Sequence, residues 1–197
     1  EQQYPAPGAP AVARALAAQL RSPATGKPLG VDKGGDDNEW GLDHGAWSVL
    51  KPMFPAADIP VVQLSMDYAR PPAEHLALGR QLAPLREHGV LIVASGNVVH
   101  NLAAMRMGTG INAAYTWASG FDARVADLAK NGQLDALAGF AQWGAVAQLA
   151  HPTHDHFLPL LYAAGAVQTG DVPRFFNTGF QAASLSMRSM LWEGAAP

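Results

Sequence analysis

The sequence predicts an α/β fold, and three observations carry that prediction. Two strand-sized apolar runs, "IPVVQLSM" at 59–66 and "VLIVAS" at 90–95, flank a stretch with leucines at helical spacing. Beyond residue 112 the apolar residues recur mostly every three or four positions, the period of an amphipathic helix. The chain has 197 residues, 49% of them hydrophobic and only 15% charged, which is enough apolar material to close one sizeable core. The expected architecture is a single domain over residues 1–197, with a central mixed or mostly parallel sheet flanked by helices.

Each element has its own reason. After Pro10, "AVARALAAQL" is alanine-rich with helical spacing and reads as a first helix. "PATGKPLGVDKGGDDNEWG", 23–41, is rich in Gly and Asp and reads as a mobile surface loop around a short strand. "WGLDHGAW", 40–47, supports two readings. Asp43 can cap a helix whose tryptophans enter the core, or Trp40 and Trp47 can wall a flat dry pocket beside the Asp43–His44 pair. The run at 59–66 is β-branched and reads as a strand. "PAEHLALGRQLAPLREH", 72–88, places Leu76, Leu78, Leu82 and Leu85 on an amphipathic helix ended by Gly89, with His75 and His88 among its solvated charges. The run at 90–95 reads as a strand buried on both faces, so strand, helix and strand form a right-handed βαβ unit. Ligands in such sheets gather beyond the carboxyl ends of the strands, which here is "SGNVVHN", 95–101. "DARVADLAK", "LDALAGFAQWGAVAQLA" and "FLPLLYAAGA" are helical in period, while "PRFFNTGF" and "SLSMRSMLW" alternate like strands.

Composition excludes several function classes. A net charge of −3 without a Lys/Arg cluster offers nothing to nucleic acid. No apolar run approaches the roughly 20 residues needed to span a bilayer. With no cysteine, any bound metal must use imidazole and carboxylate, which suits zinc or non-haem iron. No secretory signal opens the chain, so a cytoplasmic location is expected. Export after signal removal is the alternative, because "EQQYPAPGAP" begins without methionine.

Histidine is concentrated where chemistry is expected. His100 stands at the end of an apolar strand, as either a hydrogen-bonded core residue or a working group. In "HPTHDHF", 151–157, Thr153 reads as an N-cap and Asp155 as a first-turn acid. His154 and His156, two positions apart, would face different ways on a helix. That spacing is not the His-x-x-x-His of helical zinc sites.

"DHGAW", "PVVQLSMD", "LIVASGNVVHNL" and "PTHDHFLPLLYAAGA", in this order, resemble the class III extradiol ring-cleavage dioxygenases, in their DOPA 4,5-dioxygenase branch. The likeness runs from "YPAPG" at 4–8 to "SLSM" at 184–187. It implies a single catalytic α/β domain binding one divalent metal, Fe(II) for ring cleavage with Zn(II) also found in relatives. By motif, His100 matches the acid/base at the metal centre, sometimes counted as a ligand, and His156 matches a metal ligand. His44 matches the histidine that contacts the substrate hydroxyl, with Asp43, Trp40 and Trp47 beside it on the substrate side. The implied reaction inserts O2 into a catechol such as DOPA and gives a muconic semialdehyde-type product.

Two further histidine ligands of the family, in motifs like "HGSP" and "SAHW", have no counterpart in this sequence, and the first strand and helix are expected to be absent with them. A separate N-terminal fragment supplying two His ligands is the partner this implies. His151 and His154 receive no assigned role: they read as surface residues, or His154 as a replacement ligand. A zinc-dependent hydrolase, or a non-enzymatic metal-binding or interaction protein on the same fold, are the rival readings.

Overall fold

A computed structural model describes residues 3–30 and 41–194. The backbone divides into two compact units, residues 1–67 and 68–197. Trp40 and most of the Gly/Asp-rich loop lie outside the described residues.

Among the described residues the first unit holds two helices. α1, Pro10–Gln19, starts with proline, whose fixed φ and missing N–H suit a first helical position. It ends at the buried Leu20, and a turn from Ser22 to Gly26 follows, closed by Ser22 N–H to the Lys27 carbonyl at 2.8 Å. α2, His44–Met53, is capped by Asp43, and the Tyr4 hydroxyl donates to the Phe54 carbonyl at its far end, 2.9 Å.

The second unit is built on two helices that touch through their backbones. α3, Pro72–Leu82, turns into a 3₁₀ segment, Ala83–His88, because Pro84 has no N–H to give to the Arg80 carbonyl. Gly89, at φ 73°, closes it in the left-handed region. The expected helix from 72 to 88 therefore forms in two parts.

α3 packs on α6, Leu158–Gly165. A Cβ on Gly79 would fall on the Tyr162 backbone, and one on Gly165 would fall on the backbone of Leu76 and Arg80. Between them lie α4, Thr116–Lys130, a 3₁₀ stretch, Leu134–Gln142, and α5, Ala145–Ala150. α4 buries Ala118, Phe121, Asp122, Val125 and Ala129, a single stripe at helical spacing. The core is aromatic: Phe140 meets Phe157 at 4.2 Å between ring centroids, and Phe121 meets Phe157 edge-on at 5.7 Å.

The α/β class holds, with helices combined with small sheets. Two sheets occur among the described residues, each two-stranded and antiparallel. β1, Val172–Phe176, pairs with β4, Ser189–Glu193, and β2, Phe180–Gln181, pairs with β3, Leu185–Ser186. The expected central parallel sheet and its βαβ unit do not form among these residues. A strand exists only through a ladder to a neighbour. Residues 59–66 contribute just one bridge, Val61 with Gly8, and 90–95 contribute none. Nor is 90–95 buried on both faces, since Leu91 is 57% and Val93 42% exposed.

His75 also differs from expectation, being fully buried and sharing a 2.9 Å hydrogen bond with the Tyr162 hydroxyl. Its position forms one stripe with Leu78, Gly79 and Leu82, and that stripe faces α6. His88 is exposed, as expected. Among the described residues no helix is long and apolar enough to cross a membrane.

The α3–α6 contact leaves no room for a methyl group. Gly79→Ala is expected to lower the unfolding free energy by about 2 kcal/mol or more, the scale of an overpacked core. Urea denaturation of the variant beside the parent chain measures it.

Candidate functional site

In the second unit, residues 96–101 are stitched along residues 150–156. A Cβ on Gly96 would fall on the His156 carbonyl oxygen, so only glycine lets the two segments approach so closely. Asn97 N–H donates to that carbonyl at 2.9 Å, and His100 N–H donates to the Ala150 carbonyl at 2.9 Å. Between these backbone bonds, the His151 side chain donates from Nε2 to the Val98 carbonyl at 2.8 Å.

The result is a pair of imidazoles. His100 and His156 stack with centroids 3.5 Å apart and planes 14° from parallel. His100 is half-buried, and burial lowers its pKa below the ordinary 6.5. The neighbouring His156 pushes it the same way, while the charge of Asp155 opposes. His100 is thereby held neutral, with a ring nitrogen able to accept a proton near neutral pH.

Asp155 sits beside the pair, its Oδ2 3.5 Å from Nε2 of His156. Burial pushes this carboxyl up, but the Thr153 hydroxyl and the two imidazoles outweigh that and hold it below the usual range. Its Oδ1 is buried without a hydrogen-bond partner. Thr153 thus serves the Asp155 carboxyl and is not a helix cap, since α6 starts only at Leu158 with Phe157 before it. His154 faces elsewhere, edge-on to Phe140 at 4.8 Å.

The far side of His100 is fixed by a strained hairpin. Leu185 bridges to His100, and the Ser184 carbonyl accepts from Asn101 N–H at 3.3 Å. The hairpin turns through Ala182 and Ala183, at φ 48° and 64°, two consecutive non-glycine residues in the left-handed region. Their carbonyls accept from Arg106 N–H at 2.9 Å and Tyr115 N–H at 3.0 Å. Ser184 Oγ donates to the Asn101 carbonyl at 2.8 Å. Below it, Ser186 and Arg188 both bond the buried Asp122 carboxylate, Arg188 through Nε at 3.0 Å and Nη2 at 2.6 Å.

In the first unit, Asp43 caps α2. Its Oδ1 accepts from Ala46 N–H at 2.8 Å and its Oδ2 from the Gln63 amide at 3.0 Å. The expected Asp43 cap is formed. His44 is exposed at the first helical position, and Trp47 is half-buried one turn on. Trp40 lies outside the described residues.

Imidazole and carboxylate are the donors a first-row divalent ion takes, so the chemistry of the His100–Asp155–His156 group suits one. The number of donors is short. Among the described residues no three His, Asp or Glu side chains converge on one point.

Sequence reasoning left His151 and the Ala182–Ser184 turn without a role. The signal for the turn was thin, a pair of small residues in "QAASLS". For His151 it was the histidine three positions before His154 in a segment otherwise read as a loop.

Fold and site together define an α/β protein whose polar centre is a histidine pair with an adjoining carboxylate. Residues 1–185 match the catalytic LigB subunit of aromatic ring-opening dioxygenase, and the chain belongs to that family. It is 42% identical to a 4,5-DOPA dioxygenase extradiol of Escherichia coli strain K12 over 95% of its own length and 66% of the relative's. It is 36% identical to a 4,5-DOPA dioxygenase extradiol of Beta vulgaris, over 83% and 58%. The chain thus spans less than two thirds of these relatives' length. A crystal structure of an uncharacterized Escherichia coli K12 protein superposes with a TM-score of 0.81 at 40% identity, covering 96% of this chain and 75% of that one.

Burial pushes His151 down to about 4, only partly offset by its bond to the Val98 carbonyl. A histidine depressed in the folded state contributes full stability above its unfolded value of 6.5, and that contribution is lost as pH falls toward 4. The loss is expected to be about 3 kcal/mol from the free energy of a pKa unit. Urea unfolding between pH 7 and 4 measures it, with His151→Gln expected to flatten the curve.

Proposed function

We propose that the chain works as part of an extradiol ring-cleavage dioxygenase that inserts O2 into a catechol-type substrate such as DOPA, giving a muconic semialdehyde-type product. The observation that carries this reading is the stacked His100–His156 pair, formed by the two motifs that carry the family likeness. The names of the relatives support the substrate class.

In this reading His156 is the chain's ligand to one divalent metal, Fe(II) for activity with Zn(II) as the substitute. Further donors would come from polypeptide outside the described residues, such as a fragment carrying two histidines. When bound, the ion would supply Lewis-acid and redox chemistry, with His156 as this chain's ligand to it.

The remaining work belongs to side chains. His100, neutral because of its burial, takes the proton of a catechol hydroxyl on a ring nitrogen and later returns it. Asp155, held ionised, steadies the positive charge that then forms on the imidazole pair. The family likeness assigns His44 to the substrate hydroxyl, with Trp47 beside it on the substrate side. Asp43 presents His44 by fixing the start of α2.

Loading the chain together with the polypeptide that supplies the further donors with ferrous iron under anaerobic conditions, then adding a catechol and air, is expected to give a visible-absorbing ring-opened product. Turnover of an ester or amide with zinc instead would replace this function by hydrolysis. Absence of any metal uptake would replace it by a binding role.

His100→Ala is expected to abolish turnover, by about two orders of magnitude or more for a general acid–base group, while the far-UV circular dichroism stays unchanged. Because the His100 pKa is lowered, the acid limb of kcat/KM is expected below pH 6.5, and it is read from the rate profile between pH 5 and 8. An acid limb above 6.5 counts against His100 as the base.

A further inference from the structure

We propose that His151 is the positioning residue of the histidine pair: its bond to the Val98 carbonyl holds the Val98–His100 segment where the His100 ring rests on His156. The inference rests on the reading of that pair as the working centre, but its test does not use turnover.

The geometry leaves His151 little else to do. Its ring is 2% exposed and boxed by Phe121 at 5.4 Å, Phe140 at 5.9 Å and Phe157 at 5.0 Å, all edge-on. Its Nδ1 is buried without a partner. A residue kept only to fill an aromatic pocket would be apolar, because a bare buried nitrogen is unfavourable. The compensation is at the other nitrogen. A carbonyl only accepts, so Nε2 carries the proton and satisfies an oxygen between the buried Val98 and Val99 side chains.

That oxygen lies two residues before His100, and Ala150, whose carbonyl takes the His100 N–H, immediately precedes His151. His151 therefore joins the two segments midway between the backbone bonds at Asn97–His156 and His100–Ala150. It is the central side-chain bond of that series, with the Asn101 amide donating to the Leu149 carbonyl at 2.7 Å at its end. The three rings around it stop the imidazole from swinging to another acceptor. With the contact at Gly96 and the flanking backbone bonds, this middle bond holds the spacing of the stack.

The test is NMR of the full chain with ¹⁵N-labelled histidine. In the unmodified chain His151 is expected with Nε2 protonated, Nδ1 bare, and a slowly exchanging ring proton. His100 and His156 are expected to shift each other's ring protons upfield. His151→Leu, which keeps the volume and removes the donor, is expected to lose that mutual upfield shift. His151→Gln, whose amide nitrogen reaches a similar place, is expected to restore it. Protonation of His151 at Nδ1, or unchanged His100 and His156 shifts in a folded His151→Leu chain, overturns the proposal. The tautomer in the unmodified chain decides the matter even where a variant does not fold. Intact shifts without ring cleavage would sink the proposed function and leave this positioning role standing.

Discussion

The site depends on one steric fact: position 96 has no side chain. The His156 carbonyl oxygen occupies the space a Cβ there would need. With that contact in place, Asn97 bonds His156, His151 bonds Val98, and His100 bonds Ala150 in sequence along the same pair of segments. Two histidines far apart in the chain then lie ring on ring without any direct hydrogen bond between them. The pair is a product of backbone registry, and its own attraction is a minor term.

The same device recurs one layer away. Gly79 and Gly165 bring α3 and α6 into backbone contact, and α6 begins two residues after His156. The helix pair therefore fixes the end of the loop that carries His156, while the Ala182–Ser184 turn and its Asp122–Arg188 anchor fix the far side of His100. His75, joined to Tyr162 across the helix interface, ties α3 to the middle of α6. A polar residue at a helix crossing does here what apolar residues do elsewhere, because its partner lies within hydrogen-bond reach.

Much of this was legible in the residues themselves. The helices could be read because their apolar spacing is local, and Asp43 could be read as a cap because capping needs only three residues of context. His100 and His156 were found through motif likeness, and the structure brings the two rings together. The strands at 59–66 and 90–95 were not legible as observed, since apolar character reports a tendency and pairing needs a partner elsewhere. His75 was misplaced because its charged neighbours outweighed its membership in the Leu78–Leu82 stripe. His151 could not have been read at all: its role comes from a carbonyl 53 residues away.

The hairpin alanines carry two opposed demands. Positive φ at Ala182 and Ala183 favours glycine, while exposures of 7% and 0% place both methyl groups in the packed interior. Small residue types are thus the ones that suit these two positions in this chain. Residues such as Val172 and Phe176, at 67% and 46% exposure on β1, are under no such restriction. A side chain branched at Cβ would strain the tight turn behind His100, whereas the outer strand has no such backbone demand.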